Sequence, residues 1–124
     1  MAKILIADDD PQVREMLEET LEELEEEGVE LILAGNGMEA LEAMRQHRPE
    51  VAFVDMLMPK MNGLEVCRAA RKQLGLKDLH IVMLTSGSQE QEASQLSESG
   101  ADHSLTKPLD PDQVYDTAVG ILRK

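Results

Sequence analysis

Aromatic residues are nearly absent from this chain: one Phe, one Tyr and no Trp. A core must therefore be assembled from Leu, Ile, Val, Ala and Met. Cysteine is just as scarce. Cys67 stands alone, which excludes an intrachain disulfide and a cysteine-based zinc site. No apolar run approaches the ~20 residues of a membrane-spanning helix, and no signal peptide is visible. The expected compartment is a reducing cytoplasm, with no membrane association. Positive charge is in deficit too, with 12 Lys and Arg against 25 Asp and Glu and a net charge of −13. That balance implies no direct binding to nucleic acid or to an anionic membrane. It is compatible with a metal cation and with basic partner surfaces. His47, His80 and His103 lack the spacing of metal ligands and read as structural or surface residues.

What remains is ample for one packed domain. Hydrophobic residues make up 42% of 124, a length that suits a single core without an output domain. The stretch from Val51 to Gly63 organises the rest. Val51-Ala52-Phe53-Val54 reads as a buried strand that ends on one carboxylate, Asp55. An unpaired charge is costly inside a strand, so Asp55 belongs at its carboxyl end, facing a crevice. Pro59 and then Asn62-Gly63 turn the chain into a loop before the next helix.

The same grammar recurs. Ile4-Leu5-Ile6-Ala7 is a strand ending on Asp8-Asp9-Asp10, where Asp10 can cap a helix that has Pro11 in its first turn. Val13, Met16, Leu17, Leu21 and Leu24 recur at helical spacing along that helix. Its glutamate run from Glu18 to Glu27 reads as a solvated face, with a partner-binding acidic patch as the alternative, and Gly28 stops it. Val29 to Ala34 is a strand. Asn36 caps a helix over Met38 to Gln46, with Met38, Leu41 and Met44 inward. Leu64, Cys67, Ala70 and Leu74 mark a third helix that stops at Gly75, with Cys67 as a small core residue. Ile81 to Leu84 is a strand ending on Thr85-Ser86-Gly87. Gln89 to Ser99 is a weak polar helix. A short strand around Asp102 to Thr106 runs to Lys107-Pro108. Asp110-Pro111 opens a last helix with Val114, Ala118, Ile121 and Leu122 inward. Five strands alternating with five helices imply a parallel sheet, doubly wound, with helices on both faces.

In such a sheet all carboxyl ends share one edge, so Asp8, Asp9, Asp55, Thr85 and Lys107 meet in one crevice. Three carboxylates together repel unless a cation neutralises them. Hard oxygen ligands favour Mg2+ or Mn2+. A hydroxyl and an ammonium beside them suit phosphoryl oxygens. The inventory fits phosphoryl transfer onto Asp55. Capping accounts for one acid after an apolar strand, not for two.

On these residues the sequence resembles the response-regulator receiver family of two-component signalling, over essentially the whole chain. Ile4 to Pro11 is similar to its first strand and acidic pair. Asp55-Met56-Leu57-Met58-Pro59-Lys60-Met61-Asn62-Gly63 is similar to its phosphoacceptor loop, D-x-x-M-P-x-M-D/N-G. Thr85-Ser86, Gly100-Ala101-Asp102 and Lys107-Pro108 follow in order. The resemblance implies a CheY-like (βα)5 fold with flavodoxin-like strand order 2-1-3-4-5. It implies Asp55 as phosphoacceptor and Mg2+ held by Asp9, by Asp8 through water, by Asp55 and by the backbone carbonyl of Leu57. It gives Thr85 and Lys107 to the phosphoryl group and implies a cis Lys107-Pro108 bond. The phosphoryl donor would be a histidine kinase or a phosphotransfer protein, and the output partner is unknown. The implied protein is a switch, not an enzyme with turnover on an external substrate.

One departure stands out. An aromatic is usual three residues before the lysine, and here that position is Ser104. His103 would point to the opposite face of the strand. The aromatic coupling of site to surface is therefore absent or replaced. A degenerate receiver acting only as an interaction module is the alternative function. A metal-dependent phosphatase with an aspartyl nucleophile fits less well, because Leu57 stands where a second acid would be needed.

Overall fold

In a computed structural model, which describes residues 2–85 and 98–123, the strands are β1 (Lys3–Ala7), β2 (Glu30–Ala34), β3 (Val51–Asp55), β4 (His80–Thr85) and β5 (His103–Thr106). The helices among the described residues are α1 (Pro11–Thr20), α2 (Glu22–Glu26), α3 (Gly37–His47), α4 (Gly63–Lys72) and α5 (Pro111–Leu122). All strand pairs are parallel, in the order β2-β1-β3-β4-β5. The expected topology holds. The helix expected over Gln89 to Ser99 lies almost wholly outside the described residues.

Alternation along each strand divides the core in two. Leu5, Ala7, Ala52, Val54, Ile81 and Met83 face α3 and α4, where Ala40, Met44, Val66, Cys67 and Ala70 close the layer. Ile4, Ile6, Val51, Phe53, Val82, Leu84 and Leu105 face the other way, onto Leu17, Leu21, Leu24, Val114 and Ala118. Every residue of β3 is buried, as a central parallel strand requires. Asp10, Asn36, Asn62 and Asp110 each cap a helix by accepting a backbone N–H.

Several details differ from the sequence reading. The first helix is not continuous, because the chain leaves helical geometry at Leu21 (φ −98°, ψ 7°). Thr20 Oγ1 donates back to the Met16 carbonyl at 2.8 Å, a bond that bends helices. The glutamates Glu22, Glu23, Glu25, Glu26 and Glu27 are exposed. Met38 is not an inward residue and is 57% exposed. Helix α3 begins one residue earlier, at Gly37, which presses on the backbone of Met61, and Ala40, Ala43 and Met44 take the inner face. Helix α4 ends at Lys72, before Leu74, and Gly75 at φ +64° only turns the chain afterwards.

Candidate functional site

The carboxyl edge of the sheet gathers the predicted groups. Asp8 follows β1, Asp55 ends β3, Thr85 ends β4, and Lys107 follows β5. Asp8 is fully buried, and Asp55 and Thr85 nearly so, at 6% and 5% exposure. Lys107 Nζ lies 3.0 Å from Asp8 Oδ2 and 3.4 Å from Asp55 Oδ1. The Lys107-Pro108 bond is cis. The other Asp8 oxygen accepts the Asp10 N–H at 2.9 Å. Asp55 Oδ1 also receives the Leu57 N–H at 3.4 Å. Asp9 is exposed, and among the described residues its carboxylate has no hydrogen bond or ion pair. Ser86 and Gly87 lie outside those residues.

Burial pushes the Asp55 carboxyl up to about 6, and the Asp8 charge pushes the same way against Lys107 and the Leu57 N–H. Burial works against the Lys107 ammonium, but its bonds and charge contacts with Asp8 and Asp55 outweigh it and hold the amine above its ordinary value. The site is thus short of positive charge: one ammonium serves two buried acids, with a third acid at the rim. Burial also pushes the Cys67 thiol up to about 12, which fits a core residue rather than a nucleophile.

The loop after Asp55 is held by close backbone approach. The Gly63 N–H donates to the Met56 carbonyl at 2.9 Å. A Cβ at Gly63 would strike the Asp55 carbonyl and lie 2.9 Å from Met56 Cα, so only glycine lets α4 start so near β3. Asn62 and Glu65 form a reciprocal capping box at that start. Leu57 is 72% exposed at the rim.

One Asp8, one Asp9 and one Asp55 oxygen all lie within 4.8 Å of one another. Two ligands of one Mg2+ at its usual bond length sit up to about 4 Å apart. The oxygen-only donor set therefore fits a hard divalent cation after small side-chain rotations. Ser104 lies opposite Met83 in the β4–β5 register and is exposed, so no aromatic fills that place.

Two arginines escaped the sequence reading. Arg14 Nη1 donates to the Asp8 backbone carbonyl at 2.6 Å. Arg71 Nη1 donates to the carbonyls of Leu76 and Leu79, its Nε and Nη2 to Gly100, and Nη2 also meets Asp102 Oδ2 at 2.7 Å. Both bond mainly to backbone carbonyls, which leave no residue-type signature in a sequence. The one available signal was an arginine on an otherwise short cation list.

The structure is thus a doubly wound parallel α/β domain with an acid cluster and a lysine gathered at its carboxyl edge. The family model of the response regulator receiver domain matches residues 4–118. The chain belongs to that family, whose members are signalling switches rather than multiple-turnover enzymes. It is 37% identical over 122 residues to the DNA-binding response regulator MtrA of Mycolicibacterium smegmatis, covering 98% of this chain and 51% of that protein. It is 34% identical to the alkaline phosphatase synthesis transcriptional regulatory protein PhoP of Bacillus subtilis, covering 98% and 49%. It spans about half the length of these relatives. Among solved structures, chemotaxis protein CheY4 of Vibrio cholerae superimposes with a TM-score of 0.86 at 33% identity over 98% of both chains. A two-component response regulator from Clostridium difficile gives 0.86 at 28%, covering 100% and 98%.

The relatives correct one expectation. The acidic balance of the sequence implies no direct nucleic-acid binding, yet MtrA is named a DNA-binding regulator. The charge of a receiver describes its own surface. It does not constrain what a second domain of the same protein binds. Among the described residues no helix is long and apolar enough to cross a membrane.

Proposed function

We propose that the chain is a phosphorylation-controlled switch in which Asp55 takes a phosphoryl group from a histidine kinase or phosphotransfer protein in a Mg2+-dependent reaction. The reading rests on Lys107, whose ammonium spans Asp8 and Asp55 while Asp9 stands beside them. An Asp55 oxygen attacks phosphorus, the bond from phosphorus to the donor imidazole nitrogen breaks, and the nitrogen keeps the electron pair. Asp8, Asp9, Asp55 and the Leu57 carbonyl would hold Mg2+, which when bound neutralises charge on the phosphoryl oxygens. Lys107 pairs with one phosphoryl oxygen and the Thr85 hydroxyl donates to another. The same groups later serve loss of the phosphoryl group to water. The name of MtrA, a DNA-binding response regulator, and that of PhoP, a transcriptional regulatory protein, support an output in transcription through a DNA-binding domain.

A small phosphodonor with Mg2+ should add one phosphoryl group to the protein, read as a mass increase. Absence of labelling would leave the interaction-only module, and turnover of an added phosphoester would make the protein a phosphatase. The metal has its own readout. A ligand that binds only the folded state adds about 2.7 kcal/mol at ~100 times its dissociation constant. Mg2+ should therefore raise the melting temperature, and Asp9→Asn should shrink the rise. A melting curve indifferent to millimolar-range Mg2+ would count against the metal set.

Leu57 governs the lifetime of the phosphorylated state in this reading. Its side chain is open to water beside Asp55 and cannot orient an attacking water molecule. Leu57→Asn should speed loss of the phosphoryl group several-fold. An unchanged or slower decay would reject the assignment.

A further inference from the structure

Asp9 differs from its neighbours in having nothing to aim it. Asp8 is held at both carboxylate oxygens, by the Asp10 N–H and Lys107. Asp55 is held by Lys107 and the Leu57 N–H. The Asp9 carboxylate is exposed and without such a partner among the described residues. Its direction is set by the backbone that carries it, and that backbone is pinned from two sides. The Asp8 N–H donates to the Ala34 carbonyl at 3.2 Å. The Asp8 carbonyl, which belongs to the peptide unit joining Asp8 to Asp9, accepts from Arg14 Nη1 at 2.6 Å. Rotating that peptide plane would swing the Asp9 side chain away from Asp8 and Asp55.

The guanidinium is itself well placed. It lies over Gly35, where an added Cβ would sit 3.4 Å from Nη1. An open groove of about 560 Å3 runs beside it, lined by Asp9, Arg14, Leu33, Gly35, Asn36 and Glu39. The Gly35 N–H is in turn held by Glu39 Oε1 at 2.9 Å. Arg14 thus leans on the β2–α3 loop and reaches across to the β1–α1 loop.

We propose that Arg14 is a positioning residue for Asp9: its bond to the Asp8 carbonyl fixes the Asp8-Asp9 peptide plane and so presets the exposed acid for a divalent cation. The inference rests on the metal reading of the preceding section. Positioning and plain electrostatics make opposite predictions. A cation near a metal site weakens metal binding, so removing Arg14 should tighten it if charge were all that mattered. If positioning matters, removing it should loosen binding, because a disordered acid must be ordered by the metal. Groups that orient ligands from behind are worth about 10- to 100-fold in metal affinity.

The test is calorimetric titration of the whole chain with Mg2+, beside its melting temperature in chelator. Arg14→Ala should raise the Mg2+ dissociation constant about tenfold, and Arg14→Lys, which keeps a donor, should recover part of that. With a small phosphodonor, the Mg2+ concentration for half-maximal labelling should rise while the rate at saturating Mg2+ stays. A purely structural role would lower the chelator melting temperature and leave the dissociation constant unchanged, which would overturn the proposal. Tighter binding in Arg14→Ala would overturn it as well. Wild-type protein that takes up no Mg2+ would overturn the metal reading itself, and the proposal with it.

Discussion

Asp55→Asn should abolish phosphorylation and, in the absence of metal, make the protein more stable above pH 6. The first half follows from removing the nucleophile of the proposed reaction: an amide oxygen does not form a stable acyl phosphate. The second half follows from burial. The folded protein holds the Asp55 proton up to about pH 6, against 3.8 for the unperturbed group. Between those values the folded state binds more protons than the unfolded state, so stability falls as pH rises through the window. Below about 3.8 both states are protonated and the group contributes nothing. Above about 6 the penalty is complete. Asp55 shares this titration with the neighbouring Asp8 and Lys107, so the penalty belongs to the cluster and is at most a few kcal/mol for Asp55. Asparagine fills the same space without a charge. In chelator, urea unfolding of wild type and variant should give a gap that opens between pH 4 and pH 6 and stays level above. Mass labelling with a phosphodonor supplies the other readout. A variant less stable than wild type at pH 7 would show that the Lys107 pairing outweighs the burial of Asp55. Undiminished labelling at another residue would overturn Asp55 as the acceptor.

The contrast between Asp55 and the two arginines marks what a sequence carries. Asp55, Asp8 and Thr85 each close an apolar run, Lys107 follows a short polar strand around Leu105, and a parallel sheet sends all such endings to one edge. Their convergence was therefore legible without coordinates, as were the caps at Asp10 and Asn36, which combine a polar side chain with a following Pro or helical pattern. Met38 misled because the inner stripe runs through Gly37, Ala40 and Met44, and Met38 lies about 100° around the helix from Gly37 and about 200° from Ala40. The break at Leu21 was hidden because the apolar spacing continues across it, and the bond from Thr20 to the Met16 carbonyl is a choice between exposed and internal partners. Arg14 and Arg71 were invisible for a further reason. All their acceptors but the Asp102 carboxylate are backbone carbonyls, which every residue owns, and only the fold brings them together.

Arg71 carries the second large effect, on stability. It leaves the end of α4, and every N–H of its guanidinium has an acceptor: Leu76 and Leu79 before β4, Gly100, and Asp102 before β5. Asp102 Oδ2 also receives the Ile81 N–H at 2.9 Å. One side chain thus ties α4 to the amino ends of β4 and β5, at the sheet edge opposite the acid cluster. The Arg71 side chain is 19% exposed and the Asp102 side chain 37%, so water screens the pair only in part. Arg71→Met keeps the apolar stem and strands the carbonyls and the acid. Removing one partner of a buried pair costs 3–5 kcal/mol, and the partial exposure here lowers that to about 2–4 kcal/mol. The melting temperature should drop by roughly 10 °C. Asp102→Asn should cost less, because the amide oxygen can still accept from Ile81. The double variant should fall short of the sum of the two, since both remove the same ion pair. Labelling of Asp55 in the folded fraction should be unchanged, because the network touches the far end of the strands. A loss below about 0.5 kcal/mol in Arg71→Met would show that water replaces the network at no cost. Strict additivity in the cycle would show that the Arg71–Asp102 pair contributes nothing beyond its separate hydrogen bonds.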